Sequence, residues 1–484
     1  LCTAHYLAYD KAEIAASGTK VYFKSPDKEI ADTNDPTKYI YMPTEFDHSL
    51  FDGGGGASLE DYWGMMMNHA NCAGGFIWTW TDDGVKRPDN GEIDIAGNQA
   101  PDGVVGPYRQ REGSFYAIKQ IWSPVTVKNI SIKTGSATVE IKNNFAFTDT
   151  RDCKFIWEYR SFQSPLVSSS ATHTNAQQVA SPHIHPGKTG KLTAKFPNFV
   201  SQPDALALRI FDPNGRELWT YVWPLHPKHV LPTGVSIAGR AGHFGGSVQG
   251  TAELKSQDLV VRIDKQTGLL TDVERAGQKF SLMNGPRAAS TNSILKSVSW
   301  QLRKDGWLQC HFTYTAEGTN SFTGVVFDYP ENDVQHKTWL GDGPYHVWKN
   351  RLPGATLGVW ENDYNNTITG YKDWIYPEFK GCFADVRWLQ LGTTEGKITV
   401  VPENIPFVQV LTPEFPPTNL VGQAFAKLPQ CGLGFLHSIP PIGSKFKRAD
   451  QCGPQSQLNV AHGKYSGTVS FYFGELPDVT DEKR

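Results

Sequence analysis

A carboxylate, a histidine and two indoles fall in an order that can do chemistry on a sugar. Tyr39-Ile-Tyr-Met-Pro-Thr-Glu45-Phe-Asp-His48 ends a short apolar run in an acid and an imidazole. The glycines Gly53 to Gly56 and a helix-like segment follow, and then Gly74-Gly-Phe-Ile-Trp78-Thr-Trp80 ends a second apolar run in two tryptophans. A carboxylate can attack an anomeric carbon and form a covalent intermediate. An aromatic face supplies apolar contact to the C–H face of a sugar ring. Neighbouring strands of a (β/α) barrel present such groups together at their C-terminal ends. Taken singly, Glu45 would be a solvated loop carboxylate, His48 a satisfied core histidine and Trp80 a packing residue. Gly53 to Gly56 is not a phosphate loop, because no Gly-Lys-Ser/Thr follows. It reads as a βα loop beside a pocket.

The elements that must position these groups change character along the chain. Residues 1–123 alternate helix and strand. Lys38 to Pro43 reads as a β run, and Leu59 to Met67 has helical spacing with Ser58 and Asp61 placed as a capping box. Gly75 to Trp80 reads as a buried strand, and Phe115 to Trp122 as a helix stopped by Ser123-Pro124. Two such β/α units cannot close a barrel of eight. From Pro124 the pattern alternates apolar and polar: Val125–Ile132, Ala137–Ile141, Phe155–Tyr159, Ala205–Phe211 and Leu218–Trp223. Turn residues such as Asp212-Pro-Asn-Gly215 separate these runs, which predicts an antiparallel sandwich. Pro224, Pro227 and Pro232 mark a linker, and residues 233–484 read as a larger all-β domain with strands at Asp258–Ile263 and Gly324–Tyr329.

Composition sets the limits. With 484 residues the chain holds enough material for about two to four domains. Its 46 Lys+Arg against 49 Asp+Glu leave a net charge of −3, so bulk charge points to neither nucleic acid nor a membrane surface. The 14 Trp and 18 Tyr suit carbohydrate stacking surfaces, although large β-sandwich cores use aromatics as well. Seven cysteines are scattered without a Cys-x-x-Cys, which argues against a disulfide framework or a zinc site. Cys431 and Cys452 would pair only in an exported chain, and buried free thiols are the expectation. No segment reaches the roughly 18 to 20 apolar residues that span a membrane. Leu1 follows neither a Met nor a signal pattern, so the chain reads as a mature, trimmed or partial product. Localisation stays open, with a periplasmic or secreted setting favoured over the cytoplasm.

These motifs resemble glycoside hydrolase family 2. Pro43-Thr-Glu45-Phe-Asp-His48, Gly74 to Trp80, and Ala100 to Pro107 through Lys119-Gln-Ile-Trp122 look like the last quarter of its catalytic barrel. Trp339-Leu-Gly-Asp-Gly-Pro344 and Tyr376 to Gly381 into Asp385-Val-Arg-Trp388 resemble the C-terminal super-sandwich of the LacZ-type β-galactosidases. The resemblance implies a multidomain, mainly β chain. Residues 1–123 would be the C-terminal part of a TIM barrel, 124–231 an immunoglobulin-like β-sandwich and 232–484 the super-sandwich. It places Glu45 on the nucleophile, His48 on a sugar-contacting histidine and Trp78 under the glycone ring. A retaining glycosidase needs a second carboxyl about 5 to 5.5 Å from the nucleophile to protonate the leaving oxygen.

Three departures from the family pattern matter. The family's acid/base glutamate lies upstream in an Asn-Glu pair, and the 44 residues before Glu45 contain none. The expectation is a partial chain lacking its acid/base, with the missing N-terminal part in the same polypeptide or a companion chain. The residues alone fix no cofactor; the resemblance implies Mg²⁺ or Na⁺, with most ligands outside this chain. Asp102 stands where the galactosidases carry an asparagine that hydrogen-bonds the sugar and helps hold sodium. An ionised aspartate accepts but cannot donate, so a strict galactoside preference does not follow; otherwise Asp102 simply starts the turn at Gly103. The segment Leu433 to Gln451 lacks a tryptophan that the galactosidases turn toward the site. It offers Phe446 beside Lys445, Lys447 and Arg448, either as a rim contact to an anionic saccharide or as a solvated loop.

His183-Ile-His185 suggests a metal pair, but no third ligand stands nearby in sequence and the proline-rich surroundings read as loop. The expected activity is a retaining exo-glycosidase acting on terminal β-galactosides or related β-glycosides in oligosaccharides. Its partners are the oligosaccharide and the missing N-terminal part, with no nucleic acid and no membrane; a homo-oligomer is compatible. A non-catalytic carbohydrate-binding or structural fragment is the rival class. Family 2 β-glucuronidase or β-mannosidase is the rival enzyme, and the large C-terminal domain speaks against it.

Overall fold

The computed structural model describes residues 2–22, 29–32, 39–49, 55–94, 102–106, 109, 111–166, 173–196, 203–226, 231, 235–242, 249–363, 381–410 and 426–477. These include all seven cysteines, which form no disulfide with one another and, except for half-buried Cys72, are buried. No helix of the described residues is long and apolar enough to cross a membrane. The chain is mainly antiparallel β and forms two compact units, residues 119–229 with two short later pieces, and the remainder.

In the larger unit, four extended segments near the N-terminus run parallel to one another. Isolated parallel bridges join Cys2 to Tyr41, Tyr41 to Cys72, Phe46 to Ile77 and Thr81 to Val105. Hydrogen bonds extend these contacts, with Met42 N to Cys2 O at 2.9 Å, Phe46 N to Phe76 O at 3.0 Å and Val104 N to Thr79 O at 2.9 Å. Helix α1 (Tyr9–Ala16) lies between the first and second segments, α2 (Leu59–Asn68) between the second and third, and α3 (Gly113–Ile121) after the fourth. The third and fourth are joined through a short hairpin, Val85–Lys86 against Ile93–Asp94. Helix α2 forms because Leu59, Tyr62, Met65 and Met66 fall on one buried face, with Glu60 and Asp61 in its electropositive first turn.

Three sequence expectations change here. The run up to Pro43 makes single bridges at Tyr41 rather than a continuous strand; Lys38 lies outside the described residues, and Pro43 brings no N–H to a ladder. Gly75 to Trp80 is extended but not buried. Phe76, Trp78 and Trp80 are all exposed among the described residues. The capping box does not form. Ser58 sits at φ +61° with its hydroxyl turned to Ala57 O, and Asp61 instead accepts the backbone N–H of Gln455 at 2.8 Å.

The rest of this unit is built from three antiparallel sheets. The largest has eight strands, and its last strand, Asn459–Phe473, lies between Leu308–Asn320 and Gly396–Glu403. A five-stranded sheet includes Thr323–Asp328 and Leu433–Ser438, and a four-stranded sheet runs from Thr251–Ser256 to Gln278–Phe280. Trp300, Phe312, Tyr314, Phe327, Trp339 and Phe471 fill one continuous core between them. In the smaller unit, Val125–Lys133, Ser136–Asn143 and Thr189–Lys195 form one sheet. Lys154–Ser161, His173–Val179, Ala205–Phe211 and Glu217–Pro224 form another, and the two share a core of Val139, Ile141, Phe155, Trp157, Leu208 and Ile210. The alternating runs predicted for both regions form these strands.

The loop after Leu433–Ser438 reaches the parallel segments. Buried Asn350 fixes it: the amide donates to Ile442 O and Ser456 Oγ, both at 2.8 Å, and accepts from Ile442 N at 3.0 Å. Its own carbonyl takes the N–H of Ser58 at 2.8 Å. One residue thereby ties the loop that carries Lys445 and Phe446, through its side chain, to the start of α2, through its backbone carbonyl.

Candidate active site

The four parallel segments each deliver a polar side chain near the same end. Tyr6 ends the first, Glu45 and His48 the second, Trp78 lies on the third and Asp102 on the fourth. The Glu45 carboxylate is 26% exposed. Its Oε2 accepts the Tyr6 hydroxyl at 2.8 Å, and His5 Nδ1 stands 3.5 Å from Oε1. Tyr6 reaches it by a left-handed turn (φ +49°), and its own N–H bonds to Glu45 O at 3.0 Å. Burial, then the hydrogen bond and charge of Glu45, push the Tyr6 phenol far above its usual range, so Tyr6 remains a donor.

Asp102 is the hub of the second half. Trp78 Nε1 donates to its Oδ2 at 3.1 Å, His48 Nε2 lies 3.4 Å from the same oxygen, and Lys445 Nζ lies 3.5 Å from Oδ1. Burial works against a charge on Asp102, but His48, the Lys445 ammonium and the Trp78 N–H outweigh it and hold the carboxyl below the usual carboxylate range. His48 is buried, and that burial lowers its pKa against the opposing pull of Asp102, which leaves it neutral near pH 7. Asp102 Oδ1 accepts no hydrogen bond. The turn is held from behind, where Asp82 Oδ1 takes the Gly103 N–H at 2.7 Å. A side chain at Gly103 would stand 2.3 Å from Asp82 N, so the two segments meet backbone to backbone.

Phe446 joins the halves. Its ring centroid lies 4.4 Å from that of Tyr6 and 5.4 Å from that of His48, edge-on to the imidazole. Lys445 is buried beside Asp102 rather than extended at a rim, Lys447 is buried, and Arg448 pairs with Asp450 at 3.0 Å. The basic tip is therefore largely neutralised within the protein. The ammonium of Lys445 also takes the charge-balancing place beside Asp102, so these two residues do not fit a sodium ion there.

The structure thus brings Glu45, His48, Trp78, Asp102, Lys445 and Phe446 together. Trp80 is exposed and packs near Phe115, with ring centroids 6.2 Å apart. Tyr6 and His5 escaped the sequence reading. They precede α1 without any periodic pattern, and only a His-Tyr pair between buried Ala4 and Leu7 marks them.

Comparison with known proteins shows what the chain is similar to. The family model described as β-galactosidase small chain matches residues 287–426. A β-galactosidase of Priestia megaterium is 21% identical over 88% of this chain and 46% of its own length. Over most of its length the chain is similar to β-galactosidases. A β-galactosidase of an Arthrobacter species is 21% identical over 72% of this chain and 41% of its own. The chain therefore spans less than half the length of these curated relatives. A solved galactose 1-epimerase from Lactobacillus acidophilus aligns with 50% of this chain and 99% of its own at 10% identity, with a TM-score of 0.27, too slight a likeness to argue from.

Proposed function

We propose that this chain carries the nucleophile side of a retaining exo-glycosidase that acts on terminal β-galactosides or related β-glycosides of oligosaccharides. One observation carries the reading: a partly exposed carboxylate, Glu45, is oriented by a 2.8 Å hydrogen bond from the Tyr6 hydroxyl beside the Trp78–Asp102–His48 cluster. In this reading the Glu45 carboxylate attacks the anomeric carbon and the glycosidic bond breaks. The leaving oxygen takes a proton from a general acid, and water later cleaves the glycosyl ester with that same group acting as base. Trp78 offers its indole face to the sugar while its N–H is held by Asp102. Asp102, itself buried, acts behind the sugar by holding the Trp78 N–H at 3.1 Å and standing 3.4 Å from His48 Nε2.

The general acid, and with it any Mg²⁺ ligands, belongs in this proposal to sequence outside residues 1–484, either in the same polypeptide or in a companion chain. The curated relatives, more than twice the length of the part they share with this chain, support that placement. The parallel segments would then be one side of a (β/α) barrel, with the functional groups at its C-terminal face.

A fluorinated glycoside with a dinitrophenolate leaving group tests the nucleophile, because such a leaving group needs no proton. The complete enzyme should gain one glycosyl adduct on the peptide containing Glu45, and Glu45→Gln should neither be labelled nor turn over aryl β-glycosides. Labelling at another carboxylate, or turnover by Glu45→Gln, would remove Glu45 from the mechanism.

A further inference from the structure

We infer that the smaller unit carries a transition-metal site, of the kind that takes Zn²⁺, built from Asp149, His183 and His185. The two histidines have no third ligand near them in sequence, and the fold supplies it from another loop. Asp149 Oδ2 lies 2.9 Å from His183 Nε2 and 3.1 Å from His185 Nδ1. These three are the group of His, Cys, Asp and Glu residues able to hold a metal among the described residues, with all ligand atoms within 4.8 Å of one another. Atoms that bind one zinc ion at about 2.0 to 2.2 Å stand roughly 2.9 to 3.5 Å from each other. The two contacts to Asp149 already have that spacing. Two imidazoles and one carboxylate are a donor set that suits zinc and its neighbours rather than calcium or magnesium.

A second observation points the same way. Asp149 Oδ2 is fully buried and accepts no hydrogen bond, although two ring nitrogens stand within hydrogen-bonding distance of it. His183 Nε2 also meets the Arg151 guanidinium. A proton on Nε2 would suit Asp149 and repel Arg151, and a lone pair would do the reverse. A cation between the three ligands accepts both lone pairs and satisfies Asp149. Arg151, half exposed, is then free to turn away while keeping its contact with Asp149 Oδ1, now 3.3 Å.

The frame is preorganised by groups that are not ligands. Ile184 is buried in the sandwich core, so its two histidine neighbours project together toward solvent. Thr150 N donates to Ile184 O at 3.2 Å, and Ile184 N donates to Thr150 Oγ1 at 3.1 Å, which fastens the two ligand loops together. Asn143 Nδ2 spans Thr148 O and Ile184 O, both at 2.8 Å. With three protein ligands on an exposed face, the ion keeps at least one position for water or for a donor from another molecule. The site is independent of the glycosidase reading.

The chain of residues 1–484, first stripped with chelator, is titrated with Zn²⁺ by calorimetry and with Co²⁺ by visible absorption. One equivalent should bind without the sulfur-to-cobalt charge-transfer band that a cysteine site would give. His185→Ala and Asp149→Asn should weaken that equivalent by more than the roughly 10–100-fold that loss of a merely supporting residue costs. In chelator, His185→Ala should melt with the wild type, because its side chain is exposed; this separates a lost ligand from a lost fold. No binding by the wild type, equal binding by His185→Ala, or a thiolate band would overturn the site.

Discussion

Two buried charges and one hydroxyl carry the candidate active site. Tyr6→Phe removes the donor to Glu45 without changing the ring that packs on Phe446. A hydrogen bond to a charged group contributes about 1.5–3 kcal/mol, so kcat of the complete enzyme on an aryl β-galactoside should fall roughly 10- to 150-fold. An unchanged kcat would leave Tyr6 a packing residue. Asp102 and Lys445 are 7% and 9% exposed, so each is the other's counter-charge in a poorly hydrated place. Removing one partner of such a pair typically costs about 3–5 kcal/mol, while removing both costs much less. Lys445→Met should therefore lower thermal stability clearly, and Asp102→Asn combined with it should restore part of the loss; strictly additive losses would show that the pair is not coupled. His48 gives the pH dependence. Its folded pKa is depressed, so its contribution is complete above the unfolded value of about 6.5 and is lost as pH falls from there through the folded value. His311 and His437 are lowered by burial as well, so the diagnostic is the difference between proteins. Midpoints measured from about pH 8 to pH 5 should fall less steeply in His48→Gln than in the wild type.

At the scale of elements, the Asn350 bridge is the piece on which the site's geometry depends. It joins the start of α2 to the loop carrying Lys445 and Phe446, and its amide is fully used. Asn350→Ala orphans the buried N–H and carbonyl of Ile442, at about 1–3 kcal/mol for each group. Asn350→Asp keeps the acceptor for Ile442 N and loses the donors. The alanine variant should be the less stable of the two, and both should raise KM for glycosides by letting Phe446 drift. Unaltered KM in both would detach the loop from substrate binding. Such ties explain what sequence could and could not reveal. Period-two runs such as Ala205–Phe211 and helical spacing such as Leu59 to Met66 follow from side chains facing one core, so their pattern was legible. Glu45, His48 and Trp78 stood out because their apolar runs and motif order resemble family 2, and Asp102 because it departs from that pattern. The Lys445–Asp102 pair, the Tyr6 donor and the Asp149 ligand join residues far apart in sequence, and nothing local distinguishes them from surface polar residues. Ser58 shows the converse. Its capping pattern is locally correct, but a left-handed turn tied to Asn350 overrides it.

For the larger unit as a whole, the N-terminal parallel segments and the C-terminal sheets fold as one body, and Arg351 is the residue on which that union turns. It belongs to the sheet-rich part yet is 1% exposed. Its guanidinium donates to His346 O at 3.2 Å and reaches Gly55 O at 3.4 Å and Ser114 Oγ at 3.5 Å, the last two in the N-terminal part. It also lies over the Trp348 ring at 4.3 Å. Trp348 in turn packs with Ala57 and Ile442, which come from the two ends of the unit. A buried cation so placed is retained only if its hydrogen bonds are made, and the bonds here cross between parts distant in sequence. Arg351→Met keeps the apolar stem over Trp348 but removes the guanidinium that donates to Gly55 O and His346 O. The loss should be local to that seam. Hydrogen exchange should rise in Gly55 to Asn68 and around Ile442 to Gln457, while the Leu308–Asn320 and Asn459–Phe473 strands keep their protection. Because Glu45 and Phe446 sit on opposite sides of the seam, glycosidase activity of the complete enzyme should fall with it. Uniformly faster exchange throughout the sheets would mean that Arg351 supports global stability instead. Unchanged exchange at Gly55 to Asn68 would show that the two parts are joined without it.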